Sequence, residues 1–234
     1  MRFRGLDPRT RLIRWALLAI GIGMVLGATA PTAVRELQVA WVAHRSMLPW
    51  VFERLFAFLA YFAMAGSVIY GLLLSTKLLD AIAHRPITFT LHQDLASLGL
   101  GFAGIHGALL GLDKSVPFSL AQIAVPGLAP YSPIWVAAGQ ITFYLMLVVV
   151  GSFYARRRIG QRAWRLLHYV TFLAFVGGTA HGLVAGTDSG SAWAWWIYVA
   201  STIAVVFLFV YRITVSVAGR SARQRPKDPI ASMA

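Results

Sequence analysis

Six histidines stand in this chain of 234 residues, and four of them, His92, His106, His168 and His181, fall inside long apolar stretches, whereas His44 and His84 fall in connections. An imidazole can bind a metal ion, accept a proton or bond a neighbouring helix. At membrane depth an ionisable side chain is costly and usually functional, although a lone histidine there more often serves as an interhelical hydrogen bonder. The four come as two couples. His92 and His106 are 14 residues apart, which on an α-helix is about 21 Å of rise and about 40° of rotation. They share one face, and between them the stripe reads His92, Ala96, Gly99, Ala103, His106. Small residues there either admit a second helix or leave room for a flat ligand. His168 and His181 are 13 apart, about 19.5 Å of rise, but an ideal helix turns them about 140° out of line. Gly177 and Gly178 lie between them, and the expectation is that this pair distorts the helix and restores a common face.

The elements that carry these residues are spans. Hydrophobic residues make up 58% of the chain and charged ones 12%, and a spanning helix needs about 20 mostly apolar residues. The sequence predicts an all-α polytopic membrane protein, a bundle of six transmembrane helices over Trp15–Ala30, Leu55–Ser75, Thr90–Leu112, Ile134–Tyr154, Trp164–Val184 and Trp193–Ile213. Residues 1–14 form a basic N-terminus, 15–213 the six-helix domain and 214–234 a basic tail.

A net charge of +13 invites a nucleic-acid reading, but its placement excludes one. Of 21 basic residues, 17 precede the first span, follow the sixth, or lie in the second–third and fourth–fifth connections; Arg35, Arg45, Arg54 and Lys114 lie on the other side. That bias marks cytoplasmic loops, so both termini are expected in the cytoplasm of a multi-pass cell-membrane protein. The N-terminal basic segment, apolar run and Ala28-Thr29-Ala30 also imitate a secretory signal, with cleavage there as the alternative to a first span.

Alternation makes the third and fifth spans parallel, so His92 and His168 share one depth and His106 and His181 another about 20 Å outward. Two level pairs follow. A planar haem whose iron takes one imidazole from each side fits between such helices, and two haems stacked along the membrane normal make an electron path. The absence of cysteine leaves no thiolate ligand, iron–sulfur site or covalent haem attachment, so the expected cofactors are two non-covalent haem b groups. Arg85, Arg162 and Arg165 stand where propionates would be bound, as the positive-inside bias also places them. Asp94 reads as a carboxylate favoured in the first turn of its helix, and Gln140 as an interhelical hydrogen bonder. The alternative is a membrane anchor or metal-ion transport component with histidines as metal ligands, though such sites gather several donors and usually add carboxylate or sulfur.

These residues resemble the ferric reductase-like transmembrane domain of ferric reductases and NADPH oxidases, over roughly Tyr61 to Ile213. The marks are the spacings of 14 and 13 and the run Gly160, Trp164, Leu167-His168 ending at His181. The haem-binding membrane subunit of the bacterial periplasmic methionine sulfoxide reductase system is similar in that run, with fewer histidines. The resemblance implies the same pairing, His92 with His168 and His106 with His181. It also implies electron transfer to an external acceptor: ferric iron, oxygen or a partner oxidoreductase. The flavin and nicotinamide module that follows the sixth helix in the full-length enzymes has no counterpart here, with no flavin or NAD site and no glycine-rich fingerprint. A separate flavoprotein or a membrane quinol is the expected donor.

The two longer outer connections, Val34–Trp50 and Val116–Pro133, are apolar or amphipathic; they are expected to lie in the interface, fold back as a lid or pack passively on the bundle.

Overall fold

The computed structural model describes residues 48–78, 80, 84–112 and 117–224, with side chains as far as 218. The first expected span lies outside them. Among the described residues every regular element is a helix: α1 (Leu48–Thr76), α2 (Arg85–Leu110), α3 (Leu120–Ala124), α4 (Pro133–Ile159), α5 (Gln161–Val184) and α6 (Ala192–Gln224). The third and fifth expected spans are α2 and α5.

Among the described residues four helices are long and apolar enough to cross a membrane: α1, α4, α5 and α6. α2 has 26 residues, enough length, but His92, Gln93, Asp94, Ser97 and its glycines make it less apolar than the others. Large apolar side chains face outward, among them Leu166, Leu173, Val176, Ile203 and Phe207, each more than 60% exposed. Such a surface matches hydrocarbon rather than water.

Local chemistry sets the helix ends. Pro86 and Pro133 lie in the first turns of α2 and α4, where a missing N–H costs nothing. α4 closes with Arg156, Arg157 and Arg158 in its last turn, cations that suit the negative end of the helix dipole. Gly160, at φ +82°, is the single residue between α4 and α5, a conformation that glycine adopts without steric cost. Thr187, Asp188 and Gly190 make the short turn before α6 and its tryptophans.

Three boundaries differ from expectation. α1 begins at Leu48 rather than Leu55, so Trp50, Glu53 and Arg54 are helical. α6 runs to Gln224, past the expected end of the span and into the basic tail. α2 begins at Arg85, which puts Asp94 in the third turn, too far from the helix start for the dipole to account for that carboxylate.

Packing is closest between α1 and α2 and between α4 and α5, and α6 leans on α1, while α2 and α5 share little or no backbone approach. The core is apolar: Tyr61, Met64, Leu72, Met146, Ala174, Phe175, Ala194, Tyr198 and Leu208 are buried together. Burial of such side chains against one another contributes about 25 cal/mol per Å² in water, but between helices in lipid the gain is mainly van der Waals fit. Glycines allow that fit. A Cβ on Gly99 would stand 3.2 Å from the Met64 backbone nitrogen, one on Gly178 2.7 Å from Met64 Cε, and one on Gly177 2.5 Å from Thr142 Oγ1.

Candidate functional site

The four helical histidines meet as two pairs. The ring centres of His92 and His168 are 5.9 Å apart with planes at 78°, and those of His106 and His181 are 6.3 Å apart at 68°. This order of contacts requires α2 and α5 to run the same way. The first pair lies at the basic end, where Arg156–Arg158 close α4 and α5 begins; the second lies at the far end.

The separations carry chemical meaning. A coordinating imidazole nitrogen sits about 2.0–2.1 Å from its metal and about 1.2 Å from its own ring centre, so two imidazoles on opposite sides of one ion have centres about 6.4–6.6 Å apart. The His106–His181 pair, at 6.3 Å, is close to that value, and the His92–His168 pair, at 5.9 Å, is shorter. Rings in direct edge-to-face contact have centres in the same range, about 4.5–7 Å.

Hydrogen bonds fix the tautomers. His92 Nδ1 donates to the Ser67 carbonyl at 2.7 Å, His181 Nδ1 to the Trp135 carbonyl at 2.8 Å, and His106 Nδ1 to the Glu53 carbonyl at 3.1 Å, with Glu53 Oε1 at 2.9 Å. A carbonyl can only accept, so in these three neutral rings Nδ1 carries the proton and Nε2 keeps its lone pair, the arrangement that orients metal-binding histidines. His168 has no ring hydrogen bond among the described residues. Trp164, one turn earlier, stacks on it at 5.3 Å and 25°.

α5 is α-helical without interruption through Gly177 and Gly178. His168 stays beside Trp164, while His181 lies against Gly139 of α4. Gly177 and Gly178 admit Thr142 and Met64. Gly99 likewise faces the α1 backbone and Met146, so its lack of a side chain admits a helix rather than a flat ligand. Together they close the bundle between the two pairs.

The spaces around the pairs are unequal. A cavity of about 650 Å³ surrounds the far-end pair, lined by Glu53, Arg54, Ala103, Gln140 and Tyr198 among others. That volume is within the about 300–1,000 Å³ of sites that bury a flat organic ligand. At the basic end the enclosed volume is about 120 Å³, bordered by His92, His168, Arg165, Tyr169, Phe172 and Arg212. Arg165 therefore stands at the site, whereas Arg85 pairs with Asp80 at 3.1 Å and is absent from this lining.

The Val116–Pro133 connection covers the far-end cavity. Its short helix α3 opens with a capping box between Ser119 and Gln122, Gln140 Nε2 holds the Gln122 and Ile123 carbonyls at 2.7 Å each, and Tyr144 bonds the Ala124 carbonyl. Gln140 thus joins two helices, as its polarity inside a span requires. Phe118 and Ala129 are buried beneath the cover while Leu120 is 84% exposed.

Residues absent from the sequence expectation are Glu53, Arg54, Asp188 and Arg212. Arg54 pairs with Asp188 at 3.0 Å, bonds Thr187 and lies 3.8 Å above the Trp50 ring. Arg212 reaches the basic-end cavity beside Tyr169. Among the described residues no three His, Cys, Asp or Glu side chains gather at one point. Family models, curated proteins and solved structures contain no match to this chain.

Proposed function

We propose that the chain is a membrane electron conduit that holds two b-type haems, one between His92 and His168 and one between His106 and His181. The supporting observation is that the four histidines of two helices meet as two level pairs, with ring centres 5.9 and 6.3 Å apart, near the separation of two imidazoles that share one ion. His92 with His168 and His106 with His181 would hold each haem, which when bound would supply a one-electron ferric–ferrous couple suited to electron transfer. The chain's own residues do the rest. Ser67, Glu53 and Trp135 hold three imidazoles in the tautomer that leaves Nε2 available, Trp164 steadies the fourth, and Arg165 and Arg212 offer positive charge for propionates at the basic end.

The fit is complete at the far end, where the cavity matches a macrocycle in size. At the basic end the space is about 120 Å³, too small for a macrocycle as the side chains stand, so that site rests on the ring pair and its cations alone. The paired donor sets favour this reading over metal-ion transport, whose sites gather more ligands around one ion. α2 completes the membrane bundle with α1, α4, α5 and α6.

In this reading electrons enter at the basic end, from a flavoprotein or a quinol, and leave at the far end to ferric iron, oxygen or an exported oxidoreductase. The basic face suits docking of an acidic donor. Proteoliposomes with an impermeant oxidant inside and a reductant outside test the reading. Oxidant should be consumed by the loaded protein and not by His168→Ala or His181→Ala, and equal turnover in all three would refute the relay.

A further inference from the structure

One of the four rings is held by a charged acceptor. His106 Nδ1 lies 2.9 Å from Glu53 Oε1, and the two side chains are 19% and 14% exposed. The other three rings are held by neutral groups, Ser67 for His92, the Trp135 carbonyl for His181 and the Trp164 ring for His168, and the charges beside the His92–His168 pair are the cations Arg165 and Arg212. We infer that Glu53 is a positioning residue that strengthens electron donation from His106 and thereby biases the far-end iron toward its ferric state. This rests on the haem reading above.

Two effects act in the same direction. A carboxylate that accepts the Nδ1 proton gives the ring imidazolate character, which makes Nε2 a stronger donor to its metal. A negative charge a few ångströms away, in surroundings of low dielectric, also stabilises the more positive oxidation state. The neighbouring cation does not cancel it, because Arg54 is committed to Asp188, Thr187 and the Trp50 ring. The change concerned would be one electron taken up or given by the group held between His106 and His181, with no bond made and no proton transferred. Biasing the second couple toward ferric makes its ferrous form a stronger reductant for an external acceptor.

Redox titration of the haem-loaded protein in nanodiscs tests this, with the far-end wave assigned as the one missing from His181→Ala. In Glu53→Gln the reduced-to-oxidised ratio of that wave at fixed potential should rise about tenfold, which for one electron is about 59 mV. The other wave should stay in place, and Glu53→Asp should return most of the shift. A far-end wave that does not move, or an equal shift of both waves, overturns the proposal. Loss of the far-end haem from Glu53→Gln overturns it too, since Glu53 would then only hold the ligand. Wild-type protein without haem instead defeats the underlying reading, and its spectrum alone shows this.

Discussion

The imidazole of His181 occupies the space that a side chain on Gly139 would need. A Cβ there would lie 2.6 Å from Nδ1 and 2.8 Å from Cγ and Cε1, while Nδ1 bonds the Trp135 carbonyl one turn earlier on α4. Gly139 is thus the floor on which α5 presents a ring to α2.

Gly139→Ala should therefore displace His181 and empty the far-end site while the basic-end haem remains. The readout is haem per chain, expected to fall by about half. Gly151→Ala, in the same helix with nothing within 4 Å, should leave it unchanged.

Single ligand removals should divide the spectrum the same way. His92→Ala or His168→Ala should lose one haem, His106→Ala or His181→Ala the other, and His84→Ala neither, because His84 is an exposed residue that caps α2. Difference spectra of the purified variants check this, and a full low-spin spectrum in any of the four helix variants would contradict the ligand assignment.

Spacing and depth make much of the site legible in the sequence. Four histidines in two couples, together with the charge bias that makes their helices parallel, lead to the same pairs that the rings form in space. Less legible is anything depending on which helix faces which. The stripe through Gly99 allows a helix or a flat ligand, and only the Met64 backbone beside it decides for the helix. Gly177 and Gly178 read as a winding defect because an isolated α5 must send its histidines apart; the neighbouring α4 supplies the missing reason. Glu53 and Arg54 escape notice because polar residues just outside an apolar run read as loop, whereas Leu48–Thr76 continues as helix beyond the apolar window. Arg212 reads simply as a cytoplasmic charge, since sequence does not tell which way a helix end faces.

The unequal cavities, about 650 Å³ against about 120 Å³, predict unequal retention. Competition with excess apomyoglobin should draw the basic-end haem first and faster than the far-end one. Comparison with the spectra of His168→Ala and His181→Ala identifies which is lost. Simultaneous loss, or loss of the far-end haem first, would contradict the difference in enclosure.

Tight glycine packing between the pairs should be visible as stability. Gly178→Ala places a methyl group 2.7 Å from Met64 Cε, and overpacking of this kind costs about 1–3 kcal/mol. Thermal unfolding in detergent should begin at a lower temperature, and combining the change with Met64→Ala should recover part of the loss. Gly101→Ala, with nothing within 4 Å, should not have this effect.

Haem content of the purified wild-type chain, measured by pyridine haemochrome together with the reduced-minus-oxidised spectrum, bears most directly on the two histidine pairs. The expected result is two b-type haems per chain with a low-spin bis-histidine spectrum. A chain that purifies folded and without haem, and takes up none when haem is supplied, would contradict it.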